Sequence, residues 1–379
     1  MSSVFPPLYE TWMAQVLPGP IPAETQATCH QCAMCPPPAV ASVHTAAPDS
    51  FNPQTKCCTY LPRLPNFLVG RILSDDTPEM RLGRASVVQR IERGVAVSPL
   101  GLGRDAVYTL LYRQGRAAAF GRSRTLRCPH YIEEGGLCGI WRYREATCIT
   151  WFCKHVRGAV GKRFWETLKR LLFIVEESLA CWCVQQLEVG PEALQQLFLP
   201  PQRLPGSAPL EAQELDDTKD PQHYRAIWGK WVGRESDFYL ASASLVNALR
   251  WDAICALCGP ELLVLIRLTQ EAYQALVAKT TPPVLQVRPL KEILLEGRSC
   301  QVVTYSRYDP LRLPSALLEV LPAFDGRPLE VVRQRLAAEA HIALDDALIR
   351  KLSDFEILAP PETREELPQA PELPRLAGA

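Results

Sequence analysis

Apolar side chains recur at spacings of three and four residues in the middle of the chain, a pattern that predicts long helices. The clearest case runs from Lys162 to about Leu187 and places its apolar residues on one helical face. These residues are Trp165, Leu168, Leu172, Val175, Leu179 and Trp182. A second apolar helix is predicted from Pro260 to Lys279.

The two ends of the chain have different patterns. Residues 1–70 are rich in proline and cysteine and lack periodic stretches. This composition predicts loops that fold around a bound ligand such as a metal. Residues 71–127 contain strand-like pieces such as Ala106–Tyr112. Two strands and then three helices are predicted near the C-terminus: Val284–Val287, Gln301–Tyr305, Pro314–Ala323, Pro328–Ala340 and Asp345–Phe355. Asp325-Gly326 is expected to form a turn, and Asp345 an N-cap.

The composition is that of an ordinary globular protein. The chain has 379 residues, of which 47% are hydrophobic and 22% charged, and its 41 basic residues balance its 41 acidic ones. No overall field therefore favours nucleic acid, and the apolar runs are too short to span a bilayer. The N-terminus lacks the pattern of a signal peptide, so we expect a soluble, cytoplasmic protein with reduced thiols. The sequence leaves the oligomeric state open.

Nine of the fourteen cysteines fall in three groups within the first 153 residues. They are Cys29, Cys32, Cys35, Cys57, Cys58, Cys128, Cys138, Cys148 and Cys153. Because a reduced chain of this length needs no disulfide framework, such groups indicate a soft metal, either zinc or an iron–sulfur cluster. Four ligands saturate one site, so nine thiols indicate two sites or one site with spare thiols.

Other residues near these cysteines leave alternatives open. His30, His130 and His155 could each complete a ligand set, although a surface or supporting role is the simpler interpretation. Between Gly121 and Arg170 there are eleven basic residues and four acidic ones. This excess of positive charge either lowers the pKa of nearby thiols or forms a solvated basic surface. The remaining cysteines are interpreted as packing residues: Cys181, Cys183, Cys255, Cys258 and Cys300.

One stretch reads Cys138-Gly-Ile-Trp-Arg-Tyr-Arg-Glu-Ala-Thr-Cys-Ile-Thr-Trp-Phe-Cys153, and Cys128 lies upstream of it. This stretch resembles the YkgJ-type cysteine-cluster proteins, which are described as zinc- or iron-chelating domains. Their pattern is Cys-x-Ile-Tyr-x-x-Arg-Pro-x-x-Cys-x-x-[Phe/Tyr]-x-Cys. Trp141 replaces the usual Tyr, and Glu145 the usual Pro. The arrangement is also loosely similar to flagellin lysine N-methylases. In both families an upstream cluster ends in a Cys-Cys pair, which Cys57-Cys58 would match. The resemblance implies that Cys128, Cys138, Cys148 and Cys153, with part of the upstream set, hold the metal.

The segment from about Val302 to Pro360 resembles, more weakly, the PqqD-like winged helix that captures leader peptides. Such domains bind an extended peptide along a strand edge, which implies a peptide or protein substrate. A generic winged helix is an equal alternative, but the acidic last helix argues against DNA.

Taken together, these patterns predict an α+β protein built from several regions. These are a Cys-rich metal- or cluster-binding domain (1–199), a linker (200–221), a helical region (222–282), a winged-helix-like domain (283–360) and a disordered tail (361–379). Three functions remain: a metal protein acting on a peptide or protein, a structural zinc adaptor without catalysis, and a metal-free thiol enzyme. The last would leave most of the cysteines unexplained. No nucleotide loop, hydrolase elbow or S-adenosylmethionine site is identified.

Overall fold

The computed structural model describes residues 5–36, 50–199, 212–216, 218–290 and 292–361. Most of the linker (200–221) and nearly all of the tail (361–379) lie outside these ranges. The chain forms two compact units, one of residues 1–278 with 307–309, the other of residues 279–306 with 310–379. Helices combined with small antiparallel sheets make the fold α+β, as the sequence predicts.

The first unit is mainly helical. Its helices are α1 Pro7–Val16, α2 Asn66–Ser74, α3 Arg81–Arg93, α4 Ala106–Ala119, α5 Ala146–Thr150, α6 Gly158–Gln186, α7 Pro191–Phe198, α8 Ala212–Leu215, α9 Pro221–Trp228, α10 Glu235–Asn247, α11 Trp251–Cys258 and α12 Pro260–Val277. Its strands are β1 Leu64–Pro65, β2 Val97–Ser98, β3 Gly101–Leu102, β4 Tyr131–Ile132 and β5 Leu137–Cys138. The strands form a sheet in the order β1-β3-β2 and a separate β4–β5 hairpin.

Helix α6 is the centre of the larger core of this unit, and it confirms the helix predicted from residue 162 to 187. The face bearing Leu168, Leu172 and Val175 is completely buried against α1, α2 and α12. Each such side chain contributes roughly 1.5–3 kcal/mol when it leaves water. A second core lies between α2, α3, α9 and α10. Gly70 of α2 permits the approach of α10, because a Cβ there would lie 1.8 Å from the Tyr239 carbonyl oxygen.

The prediction of a strand over Ala106–Tyr112 is wrong, because these residues begin helix α4. Asp105 Oδ1 accepts a hydrogen bond from the Tyr108 amide at 2.6 Å, which satisfies an amide of the first helical turn. Tyr108 and Tyr112, one turn apart, then stack with ring centroids 5.6 Å apart. Tertiary packing on Leu61 and Leu126 overrides the β-propensity of the local sequence.

The second unit combines two three-stranded antiparallel sheets with short helices. Its elements are β6 Val284–Val287, β7 Glu292–Glu296, β8 Ser299–Val303, β9 Leu311–Pro314, α13 Leu317–Val320, β10 Asp325–Pro328, α14 Leu329–Glu339, α15 Asp346–Asp354 and β11 Leu358–Ala359. The sheet orders are β7-β8-β9 and β10-β6-β11. Asp345 caps α15 as predicted, since its Oδ1 accepts from the Leu348 amide at 2.6 Å. Asp325-Gly326, predicted as a turn, instead begins strand β10.

The helices of the described ranges include none that is both long enough and apolar enough to cross a membrane.

Candidate metal centre

The β4–β5 hairpin brings two of the predicted ligands together. Tyr131 pairs with Cys138 across the hairpin, and the Gly139 amide donates to the His130 carbonyl at 2.8 Å. Cys128 lies just before the hairpin, where its carbonyl accepts from the Tyr131 amide at 3.0 Å. Cys128 and Cys138 therefore approach each other at the open end of the hairpin.

The upstream cysteines are tied to this hairpin by direct hydrogen bonds. The Cys128 amide donates to the Cys58 carbonyl at 2.8 Å, which places the Cys57-Cys58 pair beside the hairpin. Lys56 Nζ donates to the carbonyls of Cys29 and Gly136, each at 2.6 Å. The loop of the first cysteine group is thereby fastened to the hairpin turn.

Helix α5 contains Cys148 and is followed by Cys153. Glu145 caps it, its carboxylate accepting from the Thr147 amide at 2.7 Å and the Cys148 amide at 3.0 Å. Glu145, one of the two residues that depart from the YkgJ-type pattern, is thus the N-cap of the helix. The buried Arg144 guanidinium stacks 3.4 Å from the Trp141 ring centroid and donates to the Cys148 carbonyl at 3.1 Å.

The structure places the predicted thiols in one region of the first unit, where thiols of different groups are near enough to shift each other's pKa. Cys57 helps to raise the pKa of thiols in the other two groups, namely Cys29, Cys35, Cys128, Cys138 and Cys153. Cys148 interacts in turn with Cys138 and Cys128. Cys58 hydrogen-bonds to Cys57 and packs against a small apolar cluster containing Leu61 and Tyr108.

Burial keeps most of these thiols protonated. It raises the pKa of Cys29 and Cys138 to about 11 and that of Cys128 and Cys153 to about 12. Cys32 is the exception: a hydrogen bond from the Cys35 thiol lowers its pKa to about 6. A metal that binds here must displace protons from buried thiols, a reaction that its own charge favours.

The thiols lie in one region but do not form a preorganised coordination site. Across the described ranges, no three His, Cys, Asp or Glu side chains stand close enough together to form a ready-made metal site. In donor chemistry the residues fit a soft metal, because thiols from separate loops converge beside the cations Arg144 and Lys56.

Of the three candidate histidines, His130 has both ring nitrogens hydrogen-bonded to side chains of α3. Arg90 can only donate, so His130 Nε2, 3.4 Å away, accepts, and the protonated Nδ1 donates to Ser86 Oγ at 2.8 Å. Burial, helped by the Arg90 charge, lowers the pKa of His130 to about 3. His155 is buried, and its amide donates to Asp309 Oδ2 at 3.0 Å. Burial lowers the pKa of His155 to about 4. His30 is exposed on the upstream loop.

The cysteines interpreted as packing residues lie in other surroundings. Cys183 is buried in the α6 core and its Sγ donates to the Ser242 carbonyl at 3.7 Å. Cys258 hydrogen-bonds to Ser178, and Cys300 is buried in the core of the second unit. Cys181 lies on α6.

Comparison with known proteins adds nothing to this geometry. No family model, curated protein or solved structure matches the chain. The resemblance to YkgJ-type proteins therefore stays a prediction, and the site is argued from its own residues.

Sequence reasoning missed two features of the first unit. One is Lys56, whose contact with Gly136 depends on a long-range approach that leaves no local pattern. The other is a cavity of about 1170 Å³ between α6, the β1-β3-β2 sheet and the start of α9. Arg63, Glu177 and Lys219 are among its charged lining residues. Its volume suits a small ligand, but its walls carry both positive and negative side chains and do not favour one chemical class of ligand.

Proposed function

We propose that this chain binds a soft metal, as an iron–sulfur cluster or as zinc, through the cysteines of its first unit. The observation that carries the proposal is that hydrogen bonds join the loop of Cys29, the Cys57-Cys58 pair and the β4–β5 hairpin in one region of the first unit. Packing alone does not require thiols from so many segments to meet in one place. A thiolate-bound metal would supply either electron transfer or a rigid crosslink between these loops.

The protein groups around the thiols support this assignment. Arg144 and Lys56 place positive charge beside cysteines that must become thiolates, which offsets the cost of burying negative charge. Arg144 also fixes α5 through the Cys148 carbonyl. Supporting contacts of this kind orient metal ligands in many sites.

We further propose that the metal unit takes part in modifying or recognising a peptide or protein substrate, captured by a winged-helix-like second unit. Strand β7 supports this step, because it is paired with β8 and all five of its residues are exposed. The exposed fractions of Ile293, Leu294 and Leu295 are 41%, 58% and 67%. An apolar edge strand of this kind can accept an extended peptide as a further strand.

The alternative function is a structural zinc adaptor without catalysis. It is favoured by the hydrogen bonds that already fasten the cysteine loops to one another, such as those from Lys56 and from the Cys128 amide. A metal at this point would complete the tethering of a loop-rich region.

Anaerobic purification followed by metal and sulfide analysis tests the metal proposal. Iron with acid-labile sulfide supports a cluster, and colourless protein with zinc supports the adaptor. Cys138→Ser, Cys148→Ser and Cys153→Ser should each lower the metal content, whereas the matched variant Cys181→Ser on α6 should retain it. Metal content that all three site variants leave unchanged would refute the proposal.

Peptide display against the full chain tests the second step. Peptides selected in this way should not bind the Leu294→Lys variant. They should bind the Val331→Lys variant normally, because this control changes an exposed apolar residue of α14 in the same unit. Equal binding to both variants would place the peptide elsewhere.

A further inference from the structure

We infer that an acidic polypeptide segment binds an aromatic patch beside the cysteines, formed by Phe51, Phe120, Trp151 and Tyr308. The inference deepens the proposed function, on which it rests for the role of the bound segment, by naming the chemistry of the peptide or protein partner. The patch belongs to the first unit, which includes residues 307–309. The bound segment is a different part of the partner from the strand that β7 would accept.

The four rings of the patch form one continuous series of contacts. Trp151 packs edge-on against Phe120 with ring centroids 5.3 Å apart, and Phe120 packs edge-on against Phe51 at 5.5 Å. Phe51 in turn contacts Tyr308 at 5.6 Å. Phe51 is almost fully buried, whereas 43% of Trp151 is exposed. The patch thus has a packed base and an exposed tryptophan, a residue type that is enriched at binding hot spots.

Hydrogen bonds and a glycine hold the base of the patch in place. The Phe51 amide donates to the Met34 carbonyl at 2.7 Å, and the Gly121 amide donates to Thr59 Oγ1 at 2.8 Å. A Cβ at Gly121, where φ is positive, would lie 2.3 Å from the Phe51 ring, so only glycine permits this close approach. A partner therefore meets rings that are already ordered, which lowers the entropic cost of binding.

The patch adjoins two of the three cysteine groups. Trp151 is the C-cap of helix α5, which contains Cys148, and Cys153 follows two residues later. Met34, which holds the base of the patch, belongs to the loop of residues 32–35, which begins and ends with a cysteine. A segment bound on the patch would therefore lie close to the proposed metal ligands.

Three arginines place positive charge around these rings. The Arg307 guanidinium lies 5.3 Å from the Tyr308 ring centroid. Arg122 Nε donates to the Ser50 carbonyl at 3.0 Å, directly before the buried ring at the base of the patch. Arg124 is exposed two residues further along the chain.

The neighbouring acidic residue Asp309 does not cancel this charge. Asp309 is buried and pairs with Lys154 at 3.9 Å, so the two charges balance each other. Residues 106–132, which include Arg122 and Arg124, contain no aspartate or glutamate. A partner that carries carboxylates therefore complements this surface in charge and in the fork geometry that arginine presents.

The arrangement of the rings favours a polypeptide over a nucleic acid. Bases of a single strand stack on successive aromatic faces. In the patch, Trp151 and Phe120 meet at an interplanar angle of 76°, and Phe120 and Phe51 at 90°, so neighbouring rings do not present parallel faces. Edge-to-face rings suit apolar side chains, and the arginines around them suit carboxylates. The ligand class is therefore a peptide in which acidic and apolar residues alternate.

Fluorescence anisotropy of the full chain with a short labelled peptide of alternating Glu and Leu tests the inference. Trp151→Ala should weaken binding by about tenfold or more, and Trp151→Phe by less. Arg124→Gln and Arg307→Gln should each weaken binding by about two- to fivefold and reduce its dependence on salt. The controls are Phe173→Ala, which changes an equally exposed aromatic residue of α6, and Arg267→Gln, at an exposed position of α12. Both controls should bind as the wild type does.

Binding that all the patch variants leave unchanged, or equal binding of a peptide of alternating Lys and Leu, would overturn the inference. Tighter binding of a single-stranded oligonucleotide would overturn it in favour of nucleic acid. The two arginine variants, at exposed positions, keep the test valid if circular dichroism shows that Trp151→Ala is unfolded.

Metal analysis of the same samples separates this inference from the proposed metal binding. Metal uptake without peptide binding would overturn the inference alone. Peptide binding to the patch by a chain that takes up neither zinc nor iron would support the docking surface and refute the proposed metal function.

Discussion

The buried carboxyl group of Glu176 shows how a single residue joins three elements of the first unit. Glu176 lies on α6, and its Oε1 accepts hydrogen bonds from the Tyr9 hydroxyl of α1 and, at 2.7 Å, from the Ala146 amide of α5. Its exposed fraction is 3%. Burial, with the nearby charge of Glu145, raises the pKa of Glu176 well above 4.5, so we expect the group to be neutral and protonated.

This protonation gives stability a definite pH dependence. Above pH 4.5 the unfolded chain releases the Glu176 proton while the folded chain retains it, so the contribution of this residue falls as pH rises. Glu176→Gln keeps an acceptor for Tyr9 and Ala146 and removes the ionisation. Its free energy of unfolding should therefore decrease less between about pH 5 and pH 8 than that of the wild type.

Thermal unfolding across this pH range measures the difference. Glu166→Gln, at an exposed position of the same helix, is the control and should follow the wild-type curve. Parallel curves for Glu176→Gln and wild type would show that Glu176 is already ionised in the folded protein.

Type and spacing mark the grouped cysteines as a candidate site in the sequence, and the metal assigned to them stays a prediction. The side chains around the cysteines leave no such pattern. Lys56 and Glu176 leave none, since their roles follow from carbonyls and hydroxyls that are distant along the chain. The hydrogen bonds of His130 likewise depend on Ser86 and Arg90 of α3.

Among the elements, helices with a full apolar face were predictable and short hairpins were not. Helices α6 and α12 follow their apolar periodicity closely. The β4–β5 hairpin has only two residues in each strand, too few to leave a pattern, and yet it brings Cys128 and Cys138 together. Helix α4 was mispredicted because its aromatic residues favour strands locally, whereas its packing partners are remote in sequence.

The contact between α3 and the β4–β5 hairpin depends on a glycine. A Cβ at Gly83 of α3 would lie 1.9 Å from the Gly139 carbonyl oxygen, directly after Cys138. Gly83→Ala should therefore push the hairpin away from α3, lower stability by roughly 1–3 kcal/mol and weaken metal retention. Chemical denaturation and metal analysis measure the two effects.

Gly115→Ala tests whether this effect is specific to the site. On α4 the nearest neighbour of an added Cβ is the Ala119 side chain, at 2.5 Å, so strain is introduced without backbone contact with the hairpin. This control should retain its metal. Unchanged stability and metal content in Gly83→Ala would show that the hairpin adapts without cost.

At the scale of the whole molecule, the two units differ in what stabilises them. The second unit has its own apolar core, which includes Val302, Phe324 and Ile349. The first unit has extensive helical cores, but its cysteine loops have little regular structure and rely on a few hydrogen bonds. Metal binding should therefore stabilise the first unit and leave the second nearly unchanged.

The segment Arg307–Asp309 makes this distinction testable within one stretch of chain. It lies between strands β8 and β9 of the second unit in sequence, yet it belongs to the first unit. Asp309 accepts from the His155 amide at 3.0 Å and pairs with Lys154 at 3.9 Å, directly after Cys153. Tyr308 packs against Phe51, with ring centroids 5.6 Å apart. Its order should therefore depend on the cysteine region and not on the strands that flank it.

Hydrogen exchange before and after metal removal by a chelator measures this dependence. Amides of the cysteine loops and of residues 307–309 should exchange faster in the metal-free protein, whereas β8 and β9 on either side should keep their protection. We expect this pattern because loss of the proposed metal would free the backbone after Cys153 that holds Asp309, while the strands remain paired and buried in their own core. Uniform loss of protection across β8, residues 307–309 and β9 would mean that both units unfold together. Unchanged exchange at residues 307–309 would mean that the order of this segment does not depend on metal binding.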